Sequence, residues 1–212
     1  MKQNSLNIEI IDNFLNKKDF DQLCQLKLDN VKNDVKVYHN KINKNNEIEH
    51  TCIDSNLIER LHKNYHEKTI DILKKLCPEK IALYDYSDFT IIVTPKDYKF
   101  PFHDDTPNKL LSGVIYLYPE KNTGTIFASD KKDSEKYVVD WKQNRAIFFS
   151  RKERKTWHTY KGDGINNRVA LVYNLNTNRI KEVYRVEKKS YFLGNLRYKI
   201  NPYLYQYFKF TI

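Results

Sequence analysis

Apolar positions along the chain change their spacing near residue 80. Before it they recur mostly at helical intervals; after it they alternate, or cluster in short runs between turns. In "LNIEIIDNFL", Ile8 and Ile10 flank Glu9 and turn chemistry follows at Asp12-Asn13, which predicts a short strand. "NKKDFDQLCQLKL" sets Phe20, Leu23 and Leu26 near one stripe and predicts a helix. Residues 29 to 51 are rich in asparagine and lysine with weak periodicity, and predict irregular or edge structure. "DSNLIERLHKNYHEKTIDILKKLCP" is the clearest helix. Asp54 or Ser55 can cap it, Leu57, Leu61, Ile72, Leu73 and Leu76 supply apolar faces, and Pro78 ends it.

From residue 80 the runs "KIALYDY", "FTIIVTP", "KLLSGVIYLYP", "TGTIFAS", "YVVDW", "NRAIFFS", "KTWHTYK" and "RVALVYNL" read as strands with no helix between them. That pattern predicts a mainly β fold with N-terminal helices, its core an antiparallel sandwich or barrel. The chain then divides into an N-terminal strand and supporting helices (1–79), a β core (80–178) and an aromatic, basic extension (179–212). The extension is expected to pack back on the core, with a lid or a dimer contact as alternatives. At 212 residues, all of this fits one domain.

Composition adds little to the fold and more to the class. Aromatics are 14% of residues, with 16 tyrosines, which suits β structure. Thirty-seven Lys+Arg against 27 Asp+Glu give a net charge of +10. The lysines are scattered, so a solvated basic surface competes with a nucleic-acid, anionic or acidic partner. Cys24, Cys52 and Cys77 match no CxxC pattern and make no secreted disulfide framework. Without a signal-peptide core or a long apolar run, a soluble, cytoplasmic protein with no membrane partner is expected.

Candidate chemistry begins at "FPFHDDTP". In an extended segment residues i and i+2 share a face, so His103 and Asp105 project together and Asp104 projects away. A second histidine, His158, lies in "TWHTYKGDGINNRVALVYNL". If Gly162-Asp163-Gly164 forms a hairpin loop, His158 stands opposite Arg168 on the paired strand. An arginine on so apolar a strand needs an anionic partner, and its fork suits a carboxylate. Two histidines and one carboxylate on a β scaffold form the facial triad of non-haem Fe(II) oxygenases. His62 and His66, four apart on the long helix, are a second metal pair by spacing, although Lys63, Asn64, Glu67 and Lys68 around them point to a solvated face.

The ordered series "IEIIDNFLNKKDFDQL", "FHDD", "LLSGVIYLYPEKNTGTIF", "NRAIFFS", "WHTYKG" and "NRVALVYNL" resembles the Fe(II)/2-oxoglutarate-dependent oxygenase superfamily, in its prolyl 4-hydroxylase-like branch. The resemblance implies a double-stranded β-helix (jelly roll, cupin-like) core. It also implies iron ligation by His103, Asp105 and His158, and a salt bridge from Arg168 to the distal carboxylate of 2-oxoglutarate. Tyr116, in "VIYLY", takes the place of a tyrosine that bonds the same carboxylate; an ordinary core aromatic is the other reading. One departure is Ala170, where many relatives carry the serine of Arg-x-Ser. The implied activity is hydroxylation coupled to decarboxylation of 2-oxoglutarate to succinate and CO2, using Fe(II) and O2, with ascorbate as an optional reductant.

Substrate is less legible. Within this branch a peptidyl-proline is the first expectation. "SRKERKTWH" puts Arg151, Lys152, Arg154 and Lys155 just before His158, at the expected mouth of the site, unless they form a plain solvated loop. As a functional feature they favour an acidic peptide or a phosphate-bearing nucleotide or nucleic acid. A small metabolite, a metal cupin without oxygenase activity and a basic binding module complete the alternatives.

Overall fold

The computed structural model describes residues 7–128 and 136–208. The first residues of the N-terminal reading, the end of "TGTIFAS" and the last four residues of the tail lie outside them. Eleven strands and four helices follow in order: β1 (Ile8–Ile11), α1 (Lys17–Cys24), β2 (Lys36–Tyr38), β3 (Lys41–Asn43), β4 (Ile48–His50), α2 (Ser55–Leu76), β5 (Tyr86–Thr94), β6 (Lys109–Tyr118), β7 (Thr125–Ala128), β8 (Lys136–Val139), β9 (Ala146–Phe149), β10 (Trp157–Thr159), β11 (Arg168–Asn176), α3 (Ile180–Val186) and α4 (Tyr191–Phe208).

Every strand pair is antiparallel. The large sheet runs β1-β9-β6-β11-β5-β3-β4, with β2 also on β5; the small sheet is β10-β7-β8. β11 is buried along almost its whole length because both of its faces are covered. Its odd positions, Val169, Leu171, Tyr173 and Leu175, join Phe89, Ile91 and Val93 of β5 in the main core with Leu57, Leu61 and Leu73 of α2. Period-2 alternation sends the even positions to the other face, where Tyr116 and Ile147 meet Phe127 of the small sheet in a second cluster. The site sits on that second face.

Local chemistry explains where elements start. Asp54 accepts a hydrogen bond from the Asn56 amide at 2.9 Å and caps α2. The "KIALYDY" strand is corrected: Pro78–Leu83 form a 3-10 turn and β5 begins at Tyr86. Proline's fixed φ and missing amide suit a first helical turn better than a ladder. The 29–51 region carries three short strands at the sheet edge. The extension turned out helical, and α4 packs on α3 at Gly194, where an added Cβ would stand 2.1 Å from the Tyr184 ring. Among the described residues no helix is long and apolar enough to cross a membrane.

The solvated reading of the α2 histidines is also corrected for His62, which is 4% exposed, stacked on His66 at 4.3 Å and edge-on to Phe89. Among the described residues no third ligand-type side chain completes a metal group there. Burial, then the neighbouring His66, pulls its pKa down to about 4. Above the unfolded value near 6.5 neither state is protonated; below it the unfolded chain takes a proton that the fold refuses. Stability should therefore fall as pH drops from about 6.5 to 4, by up to about 3 kcal/mol from this group. Denaturant melts at the two ends of that window should show His62→Leu with the shallower dependence; an unchanged slope would refute the assignment.

Candidate metal centre

His103 and His158 form an isolated antiparallel bridge, each backbone amide donating to the other's carbonyl at 3.2 and 2.9 Å. Directly opposed residues share a face, and the two imidazole centroids lie 4.2 Å apart. His103 Nδ1 is 3.2 Å from the Pro101 carbonyl, and His158 Nδ1 is 3.0 Å from the Thr156 carbonyl. A carbonyl only accepts, so each Nδ1 carries the proton and each Nε2 keeps a lone pair for a metal. Burial first, then His158, pulls the His103 pKa to about 3, so the ring is neutral at physiological pH.

Asp105 completes the cluster: one ligand atom from each of His103, Asp105 and His158 falls within 4.8 Å of the others. Its Oδ1 is 2.7 Å from Lys109 Nζ, and its Oδ2 accepts from the Ser112 hydroxyl at 2.5 Å. Burial alone would raise its pKa; Lys109 and the two imidazoles overcome this and hold the carboxyl well below its usual range. Arg151 Nε donates to the Asp105 carbonyl at 2.8 Å and fixes the backbone beneath it. Asp104 points elsewhere, taking the Arg154 amide at 2.6 Å and Arg197 Nη2 at 3.2 Å. Two imidazoles and one carboxylate are a donor set that fits Fe(II).

Behind the cluster a chamber of about 160 Å³ runs between the two sheets to Arg168. Arg168 is 3% exposed, and among the described residues its Nε and Nη1 have no hydrogen-bond partner. The Tyr160 ring lies 4.0 Å from its guanidinium carbon, with Tyr116 and Trp141 each at 5.3 Å. Burial pulls its pKa below the ordinary arginine value. Among the described residues, no carboxylate apart from Asp105 lines the chamber. A desolvated guanidinium against three ring faces is chemically suited to an anion brought from outside.

The expected hairpin register does not form. β10 pairs with β7, placing His158 opposite Phe127, whereas Arg168 pairs with Thr94 of β5. His158 and Arg168 belong to different sheets and meet across the chamber rather than side by side. The Tyr116 hydroxyl donates to Thr125 Oγ1 and accepts from the Thr125 amide, both at 2.8 Å, while its ring stacks on Trp141. Ala170 lines the chamber. Thr94 and Tyr160, whose hydroxyls lie 3.3 Å from each other, line the chamber with Arg168. Tyr160 was findable, two residues past His158 on an extended segment; Thr94 needed the strand pairing.

The four basic residues before His158 separate. Arg151 is 2% exposed and bound through Nη1 to both oxygens of Glu187, at 2.8 and 2.7 Å, so it braces the site from a buried position while lining the cavity beside His103. Lys152 and Lys155 are exposed and line a different cleft, beside Cys77 and Lys80. Arg154 is exposed, held by its backbone amide.

No family model matches the sequence, and no curated protein does. Solved structures do match. A Pseudomonas putida prolyl-4-hydroxylase aligns over 82% of this chain and 94% of its own, with 11% identity and a TM-score of 0.56. A Trichoplax adhaerens prolyl hydroxylase, in complex with a hypoxia inducible factor oxygen degradation domain peptide fragment, aligns over 85% and 88%, with 14% identity and a TM-score of 0.55. A 2OG-Fe(II) oxygenase family oxidoreductase from Burkholderia pseudomallei aligns over 83% and 89%, with 14% identity and a TM-score of 0.59. The chain has the fold of the 2-oxoglutarate/Fe(II) oxygenases. Within that fold, the cluster and the chamber are the chemistry this sequence supplies.

Proposed function

We propose that the protein is an Fe(II)- and 2-oxoglutarate-dependent dioxygenase, with a jelly-roll core, that hydroxylates a polypeptide, in the first instance at proline. The observation that carries this reading is Arg168, a buried guanidinium with no carboxylate partner among the described residues, facing the His103, Asp105 and His158 cluster across one chamber. A metal cupin of another activity has no use for it.

His103, Asp105 and His158 would hold Fe(II), which supplies the redox chemistry that couples decarboxylation of 2-oxoglutarate to oxygen insertion. Arg168 clasps the distal carboxylate of the cosubstrate, with the Thr94 and Tyr160 hydroxyls beside it in place of the serine that Ala170 lacks. Ser112 and Lys109 fix the orientation of the Asp105 carboxylate, and the two backbone carbonyls fix the tautomers of the imidazoles. Phe100, Phe149 and Val172 keep water from the chamber wall. The polypeptide reading is supported by the similar hydroxylase solved with a peptide fragment.

Purified protein given 2-oxoglutarate, oxygen and Fe(II) should release succinate, measured by mass spectrometry. Chelation should stop the release and added Fe(II) should restore it. Succinate release that ignores the chelator, or none under any condition, rejects the reading.

A further inference from the structure

Two cavities meet at the metal centre. The inner one ends at Arg168; the outer one, about 200 Å³, shares Phe100, His103 and Asp105 with it and is walled by α4. Gly194, Arg197, Tyr198, Asn201 and Pro202 line that outer cavity at i, i+3, i+4, i+7 and i+8 spacing, a single helix face. Charge pairing joins α4 to the metal segment. Arg197, 7% exposed, reaches Asp104 at 3.2 Å and Glu153 at 3.0 Å, and Asp104 directly precedes the ligand Asp105.

We propose that this outer cavity is the substrate pocket, that α4 is its specificity wall, and that the pocket takes an uncharged side chain of a polypeptide; the inference rests on the oxygenase reading above. Its apolar surface comes from Phe100, Pro101, Pro107, Tyr184, Tyr198 and Pro202. Among the described residues, each charged side chain lining it already has an opposite partner: Arg197 with Asp104 and Glu153, Arg151 with Glu187, Asp105 with Lys109. A carboxylate, phosphate or ammonium entering here would lose its hydration and meet no spare counter-ion. Lys152 and Lys155 do not line it; they open on another cleft. A polypeptide, by contrast, finds a partner for its backbone. Pro202 has no N–H, so the Tyr198 carbonyl one turn back lacks its helical donor and can accept from a substrate amide.

The test uses four pools of nonapeptides with random flanks and a central proline, leucine, aspartate or lysine, together with a single-stranded oligonucleotide. Release of succinate is compared with the rate in their absence. The proline or leucine pool should stimulate turnover and gain oxygen, and the aspartate and lysine pools and the oligonucleotide should not. Asn201→Trp, which fills the cavity, should raise KM for the active pool by about tenfold or more. Substrate-free succinate release, Fe(II) binding and 2-oxoglutarate affinity should stay as they were. Stimulation by a charged pool or by the oligonucleotide, no stimulation by any pool, or indifference to Asn201→Trp overturns the pocket assignment. Chelator-sensitive succinate release with or without a pool would leave the oxygenase reading standing in each of those cases; none under any condition removes both.

Discussion

Arg168→Ala is expected to abolish 2-oxoglutarate binding while metal uptake continues. Two charge-assisted hydrogen bonds at about 1.5–3 kcal/mol each make the loss about 3–6 kcal/mol, or roughly two to four orders of magnitude in affinity. Calorimetric titration of the Fe(II)-loaded protein with 2-oxoglutarate measures it directly. Stability should move the other way. The guanidinium is buried with two nitrogens unpartnered among the described residues, so removing it relieves a desolvated charge, and Arg168→Met should melt no lower than the parent. Wild-type affinity in Arg168→Ala would show that the anion is held elsewhere, and the assignment of the chamber would fail with it.

The adjacent aspartates should behave as opposites. Asp105→Ala removes the anionic ligand and leaves the Lys109 cation beside two imidazoles that must bind a dication, so retained iron should fall to background. Asp104→Ala changes nothing that points at the metal. It should keep one iron per chain, while product formation drops because Arg197 of α4 loses its bond to the metal segment. Iron content after desalting, read by elemental analysis, separates the two variants. Equal depletion in both would contradict the opposite orientations of their side chains.

Much of the site was legible because extended backbone has one simple rule. His103 and Asp105 needed only the two-residue period, and the rule held even though the segment is a lone bridge rather than a long strand. His158 and Arg168 were drawn together through a hairpin that does not exist. They share a chamber because two sheets face each other, and strand pairing between sheets leaves no mark in local spacing. Arg151 looked like one more member of a basic loop; its burial depends on Glu187, 36 residues further on. The 3-10 turn after Pro78 was open to a purely local reading, since a proline at a helix start is a familiar signal. The outer wall was not legible, because "GNLRYKINP" reads as generic basic, aromatic sequence until α4 is seen lying over the metal segment.

Lys109 gives the centre an ammonium of its own, 2.7 Å from the one carboxylate that a metal must use. The negative charge of Asp105 is thus balanced before any iron arrives, and folding does not wait for the ion as it does where metal binding is what drives the fold. The chain can finish its architecture first and be loaded afterwards. On the reading proposed above, iron would meet a carboxylate that is already oriented and already balanced in charge.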